Sequence, residues 1–200
     1  MDLTDPLKPE VLRPIITLVV PGTIAVGPYV LVLGEYLPGV ANFWTVHPTA
    51  FTVLLVMVVL AAGFVIDDIS SFIESEVWDR WLDNKVPRGE HKKNWDAYLK
   101  LELDDQLIGQ RYLRTRLTQM KFELAMAVAL PIFWSGLLWL QLLHSMWSRS
   151  GFIVVSVALL GGAALFLWTS WESAKLLSST RKRILEAFEG NGPKGIKRKE

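Results

Sequence analysis

The sequence predicts an all-α membrane protein with four transmembrane helices, of which the second and third extend into a cytoplasmic helical hairpin. Three observations lead to this fold. The chain of 200 residues is 51% hydrophobic. Its charged residues, 20% of the total, lie in blocks and leave four long windows without a charge. Its lysines and arginines are concentrated in two of the polar segments, which predicts the orientation of the helices.

The four uncharged windows each have the length of a transmembrane helix. A bilayer core of roughly 30 Å needs about 20 helical residues. In lipid, every backbone amide must be satisfied, and none of these windows has the alternating pattern of a barrel strand. We therefore predict helices over the windows of 21, 24, 20 and 22 residues at 14–34, 43–66, 124–143 and 150–171.

The basic residues predict that both termini lie in the cytoplasm. Segment 67–123 contains ten lysines and arginines and the stretch from residue 172 contains eight, whereas the loop 35–48 contains none. Loops rich in Lys and Arg remain on the cytoplasmic side. The expected organisation is an N-terminal segment with transmembrane helices 1 and 2 (1–66), the cytoplasmic hairpin (67–123), transmembrane helices 3 and 4 (124–171) and a basic tail (172–200).

The hairpin is predicted from a helical pattern that continues beyond the second span. Apolar residues follow Ile66 at a spacing of four, which is one face of a helix that continues to Leu82. These residues are Ile69, Ile73, Val77 and Trp81. Residues 84–94 have the composition of a polar turn, and a second helix starts near Asn94 and leads into the third span.

Two proline–glycine pairs lie within the first predicted span. Pro21 precedes Gly22, and Gly27 precedes Pro28. An interior proline removes one backbone hydrogen bond and bends a helix. The four residues are therefore candidate hinges of a gating helix. The alternative is a bent helix whose glycines let neighbouring helices pack closely.

Small residues four positions apart predict helix packing in the later spans. The pairs are Ala125 with Ala129, and Ala158 with Gly162. Small-xxx-small pairs let two helix backbones approach, within one chain or between chains. They support a homo-oligomer.

Carboxylates mark the cytoplasmic end of the second span. Asp67, Asp68 and Glu74 lie at the predicted inner mouth. A ring of them in several copies would select cations, and converging oxygens would bind a divalent cation. The third interpretation is ion pairing with the arginines of the hairpin, because segment 67–123 contains twelve acidic and ten basic residues.

The basic tail predicts contact with anionic lipid. Arg181, Lys182 and Arg183 follow the last span, and each basic residue near an anionic leaflet contributes about 1 kcal/mol of attraction. No aromatic residues interleave with these charges to stack on bases, and the net charge is only +1. We therefore expect membrane lipids as a partner, and no direct contact with nucleic acid.

The sequence contains no pattern typical of an enzyme. It has no cysteine, its three histidines are far apart, and it has no phosphate-binding glycine loop. We expect no cofactor and no metal. The absence of cysteine fits a bacterial inner membrane, and the acidic start lacks the basic region of a signal peptide. Five uncharged polar residues in the spans are candidates for lining a pore between copies: Thr17, Thr23, Ser135, Gln141 and Ser156.

In size and layout the whole chain resembles the small four-pass proteins that accompany bacterial phage-defence systems, including membrane accessories of RNA-targeting immune loci. The resemblance implies membrane disruption or modulation of a cytosolic nuclease. The first hypothesis for function is self-association into a channel or membrane-perturbing effector gated through the hairpin. The second is a non-enzymatic adaptor that holds a cytosolic partner, and the third is an inner-leaflet lipid-modifying enzyme that uses Asp67 and Asp68.

Overall fold

The structure is a computed structural model that describes residues 9–81 and 108–190. This part of the chain is helical and contains no strand, which confirms the all-α class. The elements are α1 (Pro9–Tyr36), α2 (Pro38–Val46), α3 (Pro48–Ile73) with a π-helical continuation (Glu74–Asp79), α4 (Ile108–His144) and α5 (Arg149–Gly190).

Four helices are long and apolar enough to cross a membrane, at Ile15–Tyr36, Pro48–Trp78, Leu113–His144 and Arg149–Thr180. Many of their large apolar side chains are exposed, for example Val154 at 68% and Met57 at 61%. Apolar surface of this extent is not stable in water, whereas in a bilayer it faces a solvent of the same polarity. The chain is therefore a multi-pass membrane protein.

The second span begins at Pro48, which corrects the predicted start at Phe43. Phe43 belongs instead to the short helix α2. The reason is the pair of prolines at Pro38 and Pro48, because the residue before a proline disfavours helical backbone angles. His47 has φ −130° and ψ 61° and ends α2. Each proline then starts a helix, where its missing N–H has no cost.

The described residues form two compact units. Unit 1 comprises 9–70 and 122–167, and unit 2 comprises 71–81, 108–121 and 168–190. Residues 168–190 are thus grouped with 71–81 and 108–121, and the predicted domain bounds stay a prediction. Helical structure after the second span is described as far as Trp81. The predicted turn at 84–94 lies outside the described residues, so the hairpin stays a prediction.

The core of unit 1 is built from small and branched side chains. Ala25, Ile66, Ala125 and Ala129 are buried against one another, with Ile132 packed beside them. Small residues allow helix backbones to come close and gain van der Waals contact, which drives helix association in lipid. The core therefore holds helices α1, α3 and α4 together without a large apolar cluster.

Candidate functional site

Helices α1 and α3 meet at two glycines. A Cβ atom added to Gly22 would overlap the carbonyl oxygen of Val59 and lie 3.0 Å from the backbone nitrogen of Gly63. A Cβ atom added to Gly63 would overlap the carbonyl oxygen of Leu18. The backbones of α1 and α3 therefore approach closely at Gly22. Its neighbour Pro21 is also fully buried.

The second proline–glycine pair of α1 lies against α4 through its proline. A Cβ atom added to Gly136 would lie 2.7 Å from Cβ of Pro28 and 3.1 Å from Cε2 of Tyr29. Gly27, in contrast, has no neighbouring atom within 4 Å. Helix α1 remains helical through both Pro21 and Pro28. A hinge role for the four residues stays a prediction.

A hydroxyl pair links α1 to α4 within the span. The hydroxyl of Ser135 donates to the carbonyl oxygen of Ile132 at 2.7 Å. The hydroxyl of Tyr29 lies 2.6 Å from Oγ of Ser135 and 3.1 Å from the same carbonyl. Either hydroxyl can be the donor between the two side chains, and the carbonyl of Ile132 is the second acceptor within reach of both. Both hydroxyl protons are thus used within the chain.

The five polar residues considered as pore lining all interact within the chain, although Thr23 and Ser135 are exposed. Thr23 donates to the carbonyl of Val19 (2.7 Å), and Ser156 accepts from Nε1 of Trp134 (2.9 Å) and donates to the carbonyl of Phe152 (2.8 Å). The amide of Gln141 donates to the carbonyl of Trp147 (2.8 Å) and accepts from the backbone N–H of the same residue (2.9 Å). None of these residues requires water in order to be satisfied.

The two small-residue pairs have different surroundings. Ala125 and Ala129 are 1% and 0% exposed in the core of unit 1. Ala158 is exposed, and a Cβ atom added to Gly162 would be in ordinary contact with Leu130 at 3.5 Å. The first pair therefore packs within the chain. Contact at Ala158 would require a second molecule and stays a prediction.

The predicted inner-mouth carboxylates are divided between the two units. Asp67 is half-buried and Asp68 exposed in unit 1, and Glu74 is half-buried in unit 2. Among the described residues, no group of three or more His, Asp or Glu side chains is arranged to hold a metal. Their role in ion selectivity or ion pairing stays a prediction.

A contact between a histidine and a carboxylate joins the ends of α1 and α4. Nε2 of His144 contacts Oε2 of Glu35, with both side chains partly exposed. Beside this pair, the rings of Tyr36 and Trp139 lie 6.0 Å apart. Aromatic rings of this kind are typical of a membrane–water interface. Nothing in the spacing of these four residues along the chain pairs them.

Unit 2 has its own apolar core, which the sequence analysis did not predict. Leu113, Met120, Ala174 and Leu177 are buried, and Trp78, Leu117 and Trp171 pack against them. The residues come from α4, from α5 and from the π-helical continuation of α3. The three segments therefore pack as a small helical unit.

A cluster of tryptophans extends this core to the surface. The ring of Trp171 lies 5.0 Å from that of Trp78 and 5.8 Å from that of Trp81. Nζ of Lys175 lies 5.0 Å from the centre of the Trp171 ring and 2.7 Å from a carboxylate oxygen of Glu172. Trp81 is 56% exposed. The cluster combines an aromatic surface with charged groups at its edge.

The predicted lipid-contact residues follow on the same helix. Lys182 and Arg183 are exposed on α5, while the side chain of Arg181 lies outside the described residues.

The chain matches no protein family, no curated protein and no solved structure with which it was compared.

Proposed function

We propose that this protein is a non-enzymatic membrane adaptor in which unit 1 is the anchor and unit 2 binds a cytosolic protein. The observation that carries the proposal is the separate apolar core of unit 2, together with the exposed ring of Trp81. Tryptophan and arginine are enriched where proteins bind one another, and an anchored aromatic ring loses little entropy on binding.

The contacts of unit 1 support an anchoring role. The hydroxyls of Tyr29 and Ser135 bond to each other, Trp134 bonds to Ser156, and many large apolar side chains of unit 1 are exposed. Such a surface is complementary to lipid and offers ions no polar path. A conduit would have to form between copies of the chain.

The adaptor requires unit 2 in the cytoplasm, in keeping with the distribution of basic residues. Over residues 108–121, α4 carries four basic and no acidic residues, which is typical of a cytoplasmic flank. Because the chain has no cysteine, single cysteines report topology directly. Glu76→Cys should be protected from an impermeant maleimide in intact cells, and Ser150→Cys should be labelled. The reverse pattern would overturn this orientation.

Partner binding is tested by crosslinking in cells that naturally produce the protein, followed by purification and quantitative mass spectrometry. We expect Trp81→Ala to lose a partner that the wild-type chain retains. Phe72→Ala is the matched control, because Phe72 is also exposed, at 64%, and lies just before the π-helical segment that Trp81 follows. The purified partner should then bind the wild-type protein directly. Equal recovery with both variants would contradict the proposal.

A channel formed by several copies is the second candidate. It is favoured by the thin face of α5, where Ala158 is exposed and Gly161 has no atom within 4 Å. Light scattering in mild detergent, corrected for bound detergent, should then give a ring of four or more copies. Asp67→Asn or Glu74→Gln should change ion selectivity in reconstituted bilayers. A monomer without conductance would exclude this candidate.

The architectural resemblance to phage-defence accessories gives both candidates a biological setting. In this setting the protein would lie in a bacterial inner membrane, and its partner would be a defence nuclease. Plating of phage on cells carrying wild-type or Trp81→Ala protein tests this setting. Protection that depends on Trp81 supports it, whereas the absence of any protection by the wild-type protein contradicts it.

A further inference from the structure

Unit 2 contains a buried hydrogen-bond donor that has no acceptor. Among the residues that the structure describes, Nε1 of Trp78 is the only buried side-chain nitrogen or oxygen without a hydrogen-bond partner. A buried N–H of this kind gives up the bond that it makes to water in the unfolded chain and gains nothing in return, which lowers stability. Buried tryptophans usually have an acceptor for this group. The unmet donor therefore points to an acceptor outside the chain.

The packing of Trp78 does not need its nitrogen. The ring packs against the buried apolar core of unit 2, and it lies 5.0 Å from the ring of Trp171. These are apolar and ring contacts, and an aromatic side chain of the same shape without the N–H would make them equally well. The N–H therefore costs stability in the free protein and contributes nothing to this core.

Two features place the donor where another protein can reach it. Trp78 belongs to the π-helical segment Glu74–Asp79, and single π-helical turns are rare and occur frequently at functional sites. Trp81 lies three residues further on, with its ring 56% exposed and 5.8 Å from the same ring of Trp171. Trp78 and Trp81 thus share one neighbouring ring. A protein that engages the exposed Trp81 ring lies beside the buried N–H of Trp78.

The charge of unit 2 favours an acidic acceptor. Its described segments together contain nine lysines and arginines but six aspartates and glutamates. A positively charged surface attracts an acidic partner, and a carboxylate accepts a stronger hydrogen bond than a neutral oxygen does. We propose that the Trp78 N–H donates to a carboxylate oxygen of the cytosolic partner, which reaches it when binding turns the Trp81 ring aside. The inference rests on the proposed adaptor function and adds the group that recognises the partner.

Replacement of Trp78 by benzothienylalanine, in which sulfur takes the place of the indole N–H, tests the proposal in the full-length protein. The probe is the cytosolic protein that crosslinking recovers with the wild-type chain. We expect its affinity to fall by about 10- to 150-fold, the range for a hydrogen bond to a charged group. Resistance of the free protein to a denaturing detergent should not fall.

The same replacement at Trp134 is the matched control, because Nε1 of Trp134 donates to Ser156 within unit 1. It should lower the resistance to detergent and leave the affinity for the partner unchanged. The two replacements therefore have opposite expected effects. If the Trp78 replacement lowers stability as the Trp134 replacement does, its N–H is bonded within the chain and the proposal is wrong.

A second measurement uses the unaltered protein. Its tryptophans are labelled with ¹⁵N at the indole nitrogen, the protein is placed in phospholipid nanodiscs, and the N–H signals of Trp78 and Trp134 are assigned from the two replacements. Addition of the partner should move the proton signal of Trp78 downfield, as a new hydrogen bond does, and leave that of Trp134 in place. An unchanged Trp78 signal would overturn the proposal, whether a lipid headgroup already accepts the bond or no bond forms.

The outcomes separate this inference from the adaptor function itself. If a partner that depends on Trp81 binds the Trp78 replacement as tightly as the wild-type chain, the inference is wrong and the adaptor stands. A loss of affinity below about 10-fold would indicate a neutral oxygen and overturn the carboxylate. If crosslinking recovers no partner, the adaptor fails and the inference fails with it.

Discussion

The contact between α1 and α3 predicts a large difference between two glycine substitutions in one helix. In Gly22→Ala, the new Cβ atom would overlap the carbonyl oxygen of Val59. A backbone atom cannot rotate away, so the helices must separate. Overpacking of this kind destabilises by about 1–3 kcal/mol. Gly34→Ala meets no atom within 4 Å and should stabilise the helix by about 0.5–1 kcal/mol, because alanine loses less backbone entropy than glycine.

The two variants should therefore differ by about 1.5–4 kcal/mol in their free energy of unfolding. The assay is reversible unfolding in mixed micelles, in which a denaturing detergent is titrated while circular dichroism reports helix content. Gly161→Ala is a second control, because it also meets no atom within 4 Å but lies on α5. If Gly22→Ala proves as stable as Gly34→Ala, then α1 and α3 do not meet at Gly22.

Three further substitutions test the packing of the units. Ala125→Leu should destabilise by about 1–3 kcal/mol in the same detergent titration, whereas Ala158→Leu, on an exposed face, should be near neutral; equal effects would place Ala125 outside the core. Tyr29→Phe should lower the free energy of unfolding by about 0.5–1.5 kcal/mol, because it removes a hydrogen bond. Ser135→Ala is titrated beside it, and if neither variant loses stability, the two hydroxyls are not paired. Met120→Ala leaves a cavity in the core of unit 2, with a cost of about 2–5 kcal/mol, and should speed limited proteolysis within unit 2; an unchanged rate would contradict that core.

The transmembrane helices were predictable because charge is so costly in lipid. The windows free of charge lie within the four long apolar helices, apart from the start of the second. That start was wrong because hydropathy alone does not distinguish a short interfacial helix from the beginning of a span. The residues before Pro38 and Pro48 contained the missing signal. If each proline is taken as the start of a helix, Pro38 begins α2, and Pro48 begins α3 and so limits α2 on its other side.

The packing contacts were predictable only in part. Spacing identified Ala125 and Ala129, which are buried, but the same spacing at Ala158 lies on an exposed face. Gly63 and Gly136 make close contacts that no pattern indicated. A glycine has no side chain to report its surroundings, and the face of a helix that packs is decided by partners distant in sequence. The core of unit 2 was missed for the same reason, since its residues come from three separate segments.

The polar contacts of unit 1 predict which substitutions change stability and which change partner binding. Opening a water-filled path along the spans would require the hydroxyls of Tyr29 and Ser135 to exchange their mutual bond for bonds to water. It would also expose the apolar side chains around them to water, at about 25 cal/mol per Å². Substitutions in these spans should therefore alter stability without abolishing partner binding. A substitution at Trp81 should abolish partner binding without altering the stability of unit 1. If Tyr29→Phe instead produced a conducting protein, polar pairing in the spans would be the barrier that keeps a channel closed, and the channel would replace the adaptor as the better explanation.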